Sequence, residues 1–306
     1  MPAKFKVLIA DSLDAKAVEM MKNHPALDVA YKNKLTPEEL LKEIPGYHAI
    51  VVRSATKVTR AVIEAGKDLR LIARAGVGLD NVDQEAAKAH NIKVVNTPAC
   101  TTISVAELAF GLMLALARKV GRANISMKNG EWDKKSFQGC ELYEKTLGLI
   151  GIGRIGQAVA SRAQAFGMKV IAYDAVIKQS PLPYVRMVSL DDLLGQSDFI
   201  SLHIPYDKNV GATLKEAEFK KMKKGVFLVN CARGGTVDEK ALLAALNDGT
   251  VAGAGIDVWE QEPTKNLELV KHQNVIALPH LGASTDEGQA RAGKEVAELV
   301  IAQFAA

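Results

Sequence analysis

The sequence predicts an α/β protein made of two doubly wound parallel-sheet domains, and three observations carry that expectation. Short β-branched apolar runs alternate with helix-like polar stretches, the pattern of βαβ units. The alternation comes in two consecutive series, separated by a long apolar helical run. At 306 residues, 48% hydrophobic and 24% charged, the chain can build a core in each of two domains and has no composition of a disordered tract.

The first series reads KVLIAD, LDVAYK, AIVVRS, RLIARAG and IKVVNTP. Each run has strand length and is apolar enough to be covered on both faces. Between them, TPEELLKEI reads as a helix with Thr36 as its cap and Pro37 at its first position. After Pro98, SVAELAFGLMLALARKVGRANISMKNG reads as one long helix in which Ser104 and Glu107 have capping-box spacing. A helix so apolar is buried on more than one side. The second series reads TLGLIGIG, KVIAYD, FISLHIP, VFLVNCARG, AGAGIDVW and NVIALPH, and the last segment, TDEGQARAGKEVAELVIAQFAA, is an amphipathic helix with no strand to follow it.

Composition excludes several classes. The net charge is +4, and the only dense basic run, KKMKK at Lys220 to Lys224, reads as the solvated end of a helix, so no nucleic-acid partner is expected. Three cysteines, Cys100, Cys140 and Cys231, make neither a disulfide framework nor a metal-ligand spacing, which suggests a reducing compartment and no metal. The start, MPAKFKVLIADSLD, lacks a signal-peptide layout, and no apolar run is of bilayer length, so a cytoplasmic protein without a membrane partner is expected.

GLIGIGRIGQAVA holds the sharpest motif. Gly151, Gly153 and Gly156 form G-x-G-x-x-G directly after a strand run and directly before a helical pattern. The first glycine allows a tight turn, the second lets backbone approach a pyrophosphate, and the third lets helix and strand pack closely. Asp174 ends the next strand run, where a carboxylate accepts from ribose hydroxyls and repels a 2′-phosphate, favouring NAD over NADP.

Ligands of doubly wound sheets bind beyond the carboxyl ends of the strands. The charged residues expected there are Arg53, Arg233, Asp257, Glu262 and His280. An imidazole suits proton transfer at neutral pH, a carboxylate orients it, and a guanidinium fork matches a substrate carboxylate. His280, Glu262 and Arg233 are the candidates for those roles.

With these residues on the page, GIGRIG, NCARGG, DVWEQEP and PHLGAST together resemble the D-isomer-specific 2-hydroxyacid dehydrogenases across essentially the whole chain. VVRSATKVT, LIARAGVGLDNVD, VVNTP and SVAELAFGLMLALAR are most similar to the branch that oxidises 3-phosphoglycerate. The resemblance implies a Rossmann NAD-binding domain, residues 98–282, inserted into a flavodoxin-like substrate domain, residues 1–97 plus 283–306. It implies Arg233, Glu262 and His280 as the catalytic trio, and Arg53, Gly76, Val77 and Gly78 on the substrate's anionic groups. It places NAD against Val77, Gly151, Gly153, Arg154, Ile155, Gly156, Asp174, His203, Ile204, Pro205, Cys231, Ala232, Arg233, Asp257, His280, Leu281, Gly282 and Ala283.

A homodimer built on the helix after Ser104, or a tetramer, is also implied. The activity implied is oxidation of 3-phosphoglycerate to 3-phosphohydroxypyruvate, the first step of serine biosynthesis, without regulation through a C-terminal domain. Alternatives are a glyoxylate or hydroxypyruvate reductase, a D-lactate dehydrogenase, or an NAD-sensing corepressor-type binding protein. The chain departs from the family pattern at Thr101, where Asn is common, at Val77, where Thr is frequent, and at Lys134, where many relatives carry Arg.

Overall fold

A computed structural model describes residues 4–304. The chain divides into two compact units, Met1–Thr101 with Ala283–Ala306, and Thr102–Gly282.

The first unit runs β1 (Phe5–Ile9), α1 (Ala15–Lys22), β2 (Leu27–Tyr31), α2 (Pro37–Glu43), β3 (Ala49–Val52), α3 (Arg60–Ala65), β4 (Leu71–Arg74), α4 (Gln84–Ala89) and β5 (Lys93–Asn96). All pairings are parallel, in the order β2-β1-β3-β4-β5, so the winding reverses between β1 and β3. The inner strands are largely buried because helices cover both faces, with Val7, Ile9, Val51 and Leu71 in one core and Leu8, Ile50, Val52 and Ile72 in the other, while the edge strands β2 and β5 stay partly exposed. Thr36 does cap α2: its hydroxyl accepts the Glu39 N–H at 3.2 Å, and the Glu39 carboxylate accepts the Thr36 N–H at 2.8 Å.

The second unit runs α5 (Thr102–Ala117), α6 (Val120–Lys128), β6 (Thr146–Ile150), α7 (Arg154–Ala165), β7 (Lys169–Tyr173), β8 (Val185–Met187), α8 (Leu190–Gln196), β9 (Phe199–Leu202), α9 (Glu216–Phe219), β10 (Val226–Asn230), α10 (Glu239–Asn247), β11 (Val251–Ile256), α11 (Leu267–Lys271) and β12 (Val275–Ala277). Its parallel sheet has the order β12-β11-β10-β9-β6-β7-β8, which reverses between β6 and β9. The final helix, α12 (Asp286–Phe304), belongs to the first unit and lies against α1. Gly293 permits that approach, since a Cβ there would stand 2.9 Å from Asp14 Cβ and 3.0 Å from Ala17 Cβ. Ala292, Val296, Ala297 and Val300 bury the apolar face of α12 in the same core as β1.

Two sequence expectations need correction. The long helix begins at Thr102, with Ser104 already inside its first turn, and Glu107 pairs with Arg162 at 3.0 Å instead of reaching back to cap the N-terminus. The run also breaks between α5 and α6, where Lys119 takes a left-handed φ of 51°. A distant loop returns at the break: the Cys140 N–H takes the Ala117 carbonyl at 2.9 Å, and a Cβ on Gly139 would collide with that carbonyl. The three-residue edge strand β8 was not expected at all. In the basic run, Lys220, Lys221 and Lys223 pair with Glu216, Asp191 and Asp198. No helix among the described residues is long and apolar enough to cross a membrane.

Candidate active site

The turn from β6 into α7 carries the glycine motif. Gly151 has a φ of 98°, a left-handed conformation that side chains resist, and a Cβ there would also stand 2.6 Å from the His203 carbonyl oxygen. A Cβ on Gly156 would collide with the Gly151 carbonyl, so this glycine fixes the contact of helix and turn. Gly153 differs from both, because a Cβ there meets nothing within 4 Å. Protein packing therefore does not require that glycine, whereas a ligand lying on the turn would. Among the described residues, no side chain caps the α7 N-terminus at Gly153, which leaves its positive end available to a phosphate. These features fit a dinucleotide.

Asp174 follows β7 and is already used by the fold. Its carboxylate accepts the N–H groups of Ile152 at 3.0 Å, Val176 at 2.8 Å and Ile177 at 2.9 Å, so it ties the glycine turn to the next loop. Burial raises its pKa, but these three bonds and Lys178 outweigh burial and hold it below the ordinary carboxylate value. A carboxylate has about four acceptor positions, so room remains for a ribose hydroxyl.

His203 follows β9, across the reversal in strand order. Its Nε2 bonds the Ser201 hydroxyl at 2.9 Å, and burial pushes its pKa down to about 4, so the ring is neutral at physiological pH. Among the described residues its Nδ1 has no partner. Ile204 closes over Gly151, and Pro205 follows it. Beyond β10, the Cys231 thiol is buried and held protonated, by burial first and by Asp257 second.

Arg233 lies in a stitched turn. The buried Asn230 amide donates to the Arg233 carbonyl at 3.2 Å and accepts the Ala232 N–H at 3.1 Å, while Thr236 donates its hydroxyl to the Arg233 carbonyl at 2.7 Å. Gly234 lets this turn abut the loop after β11, because a Cβ would collide with the Trp259 carbonyl. The Arg233 Nη1 donates to the Ala232 carbonyl at 2.7 Å. Asn230 went unnoticed in the sequence; its signal was a polar amide closing an otherwise apolar buried strand.

The loops after β11 and β12 bring Glu262 and His280 together, with Glu262 Oε2 and His280 Nδ1 2.8 Å apart. Glu262 Oε1 accepts the Trp259 N–H at 3.1 Å, so both carboxylate oxygens are oriented. An ionised carboxylate only accepts, so Nδ1 carries a proton and Nε2 is left to exchange one. The bond to Glu262 raises the His280 pKa above the ordinary imidazole value; burial and Arg233 oppose that rise, and the charges of Glu262 and Asp257 add to it. Burial pushes Glu262 up, yet His280, the Trp259 N–H and Arg233 hold it below its ordinary value. With side chains 48% and 39% exposed, His280 and Glu262 form a hydrogen-bonded pair open to a small molecule, an ion pair when the imidazole is protonated. A cavity of about 540 Å³ adjoins them, lined by Trp259, Pro263, Leu278 and Pro279 among others.

His280 has a φ of 57°, unfavourable for a residue with a Cβ. Asp257 holds it there. The Asp257 carbonyl accepts the His280 N–H at 2.9 Å, and its fully buried carboxylate accepts the N–H groups of Leu281 at 2.6 Å and Gly282 at 2.8 Å. Burial raises the Asp257 pKa, and the two N–H bonds work against that rise.

The remaining candidates stand in the first unit. Arg53 follows β3, and Gly76, Val77 and Gly78 follow β4. Gly76 has a φ of 152° and donates its N–H to the Thr97 hydroxyl at 2.8 Å, while Asn96 donates to the Val77 carbonyl at 2.5 Å. Ala283 accepts the Gln289 amide at 2.6 Å. No cluster of His, Cys, Asp and Glu suited to a metal occurs among the described residues.

Comparison with known proteins adds to this geometry. The family described as D-isomer specific 2-hydroxyacid dehydrogenase, NAD binding domain, matches residues 110–282. The chain is 50% identical over 305 residues to the hydroxypyruvate reductase of Thermotoga maritima, covering 99% of each. It is 47% identical over 294 residues to the D-3-phosphoglycerate dehydrogenase of Rattus norvegicus, covering 95% of this chain and 55% of that one, so it spans about half that relative's length. The D-lactate dehydrogenase from Aquifex aeolicus, solved with NAD and lactic acid, superposes with a TM-score of 0.85 at 34% identity, covering 97% of this chain and 95% of that one.

Proposed function

The chain belongs to the D-isomer-specific 2-hydroxyacid dehydrogenases, NAD-dependent oxidoreductases, and from that premise we propose that it interconverts 3-phosphoglycerate and 3-phosphohydroxypyruvate. The observation that carries the chemistry is the Glu262–His280 pair with Arg233 close enough to perturb both groups.

The glycine turn and Asp174 would hold NAD, which would supply the acceptor for the hydride leaving C2. His280 Nε2 takes the proton of the C2 hydroxyl, and Glu262 stabilises the imidazolium that forms. Arg233 presents its planar fork to the carboxylate beside C2. Arg53 receives the phosphate, the second anion that distinguishes this substrate from simpler 2-hydroxy acids.

A second reading is reduction of hydroxypyruvate or a similar unphosphorylated keto acid, favoured by the full-length likeness to the Thermotoga maritima protein. An NADH absorbance assay decides between them, with 3-phosphohydroxypyruvate, hydroxypyruvate, glyoxylate and pyruvate in one direction and the hydroxy acids in the other. The first reading expects the highest kcat/KM with the phosphorylated pair. No turnover of that pair in either direction would leave the second reading standing.

A homodimer through α5 and the segment after it belongs to the same proposal. It is supported by the exposed apolar side chains Ile103, Val120, Ile125, Met127 and Trp132, and it is tested by light scattering of the purified protein.

A further inference from the structure

In the first unit the winding reverses between β1 and β3, where doubly wound sheets bind ligands beyond the strand ends. Two loops meet there, Asp11–Ser12 after β1 and Arg53–Thr56 after β3. Asp11 is only 6% exposed. Its Oδ2 receives the backbone N–H groups of Arg53 at 2.6 Å and Thr56 at 3.2 Å, and its Oδ1 receives the Thr56 hydroxyl at 2.7 Å. The neighbouring Ser12 carbonyl receives Arg53 Nη1 at 3.2 Å.

Asn81 grips the same loop through its carbonyls. Its amide donates to the Arg53 carbonyl at 2.8 Å and to the Thr56 carbonyl at 2.6 Å, and its Oδ1 accepts Arg74 Nε at 3.1 Å. Arg53 is therefore held at its N–H, its C=O and its guanidinium. A short irregular loop with an exposed tip is ordinarily mobile, and a buried carboxylate is costly unless fully bonded. Here a buried aspartate and an amide together fix a loop whose one long side chain directed to Ser12 is that of Arg53. An arginine already ordered loses less rotamer freedom on meeting an anion.

We propose that Asp11 and Asn81 are positioning residues that hold Arg53 ready for the second anionic group of the substrate, and so set the preference for phosphorylated over unphosphorylated 2-keto acids. This rests on the assignment of Arg53 made above. Neither residue is assigned a part in the proton or hydride transfer.

The test is steady-state kinetics at saturating NADH with 3-phosphohydroxypyruvate and hydroxypyruvate, on the whole protein and its Thr56→Val, Thr56→Ser, Asn81→Ala and Arg53→Ala variants. Thr56→Val removes only the hydroxyl that Asp11 receives, so it remains informative if Asn81→Ala folds poorly. Thr56→Val and Asn81→Ala are expected to raise KM for the phosphorylated substrate about tenfold, with kcat and the KM for hydroxypyruvate within about twofold to threefold of the parent. Thr56→Ser is expected to restore the parent KM. Equal losses on both substrates, or none on either, overturn the proposal. If Arg53→Ala alone loses the preference, positioning by Asp11 and Asn81 is wrong and the role of Arg53 survives. If Arg53→Ala keeps the preference, the role of Arg53 falls and this inference with it.

Discussion

Glu262 Oε2 lies 2.8 Å from His280 Nδ1, and each group shifts the other's titration towards its charged form. The relationship fixes the imidazole tautomer and makes the ring a stronger base than an isolated histidine.

The pH dependence follows from the raised His280 pKa. The imidazolium persists above the ordinary imidazole value, so oxidation, which needs the neutral ring, gains rate as pH rises through that raised pKa. Reduction needs the imidazolium and loses rate over the same range. Glu262→Gln keeps an acceptor for Nδ1–H and removes the charge, so that limb of the kcat/KM profile is expected to move to lower pH in both directions and kcat to fall. An unmoved limb would show that Glu262 does not set the His280 titration.

Asp257 supports the same histidine through the backbone. Asp257→Asn turns an amide donor towards one of the N–H groups of Leu281 and Gly282, an unmet pairing in a fully buried position. A loss of about 1–3 kcal/mol is expected for that buried unsatisfied contact, read as a lower calorimetric Tm. Because the left-handed turn at His280 loses its clamp, kcat is expected to fall as well, even well below the new Tm. Parent values of both would contradict the clamp.

The glycine turn offers a separation of folding from binding. Gly153→Ala meets no protein atom within 4 Å, and its φ of −68° suits alanine, so Tm is expected to stay near that of the parent. NADH affinity, followed by fluorescence titration, is expected to weaken about tenfold or more as the methyl crowds the pyrophosphate. Gly156→Ala is expected to lower Tm first, because its Cβ meets the Gly151 carbonyl. Unchanged NADH affinity in Gly153→Ala would remove the dinucleotide from that turn.

Most strands of both sheets were legible because parallel strands covered on two faces carry unbroken apolar runs, as in β3 and β11. What escaped depended on contacts distant in sequence. The break at Lys119 coincides with the return of Gly139 and Cys140 onto the Ala117 carbonyl, and Ser104 is no cap because the helix already begins at Thr102, while Glu107 pairs with the distant Arg162. The edge strand β8 is too short to leave a periodic signal. At the candidate site, residue types announced chemistry, but the supports of Asp257 beneath His280 and of Asp11 and Asn81 around Arg53 are geometric facts that spacing does not express.

The central claim is that His280 moves the proton, and the most direct measurement is kcat of His280→Gln at saturating substrate and cofactor, with NADH binding measured on the same preparation. The account expects a loss of roughly 10²–10⁴-fold in kcat while NADH still binds. Turnover near that of the parent would contradict it.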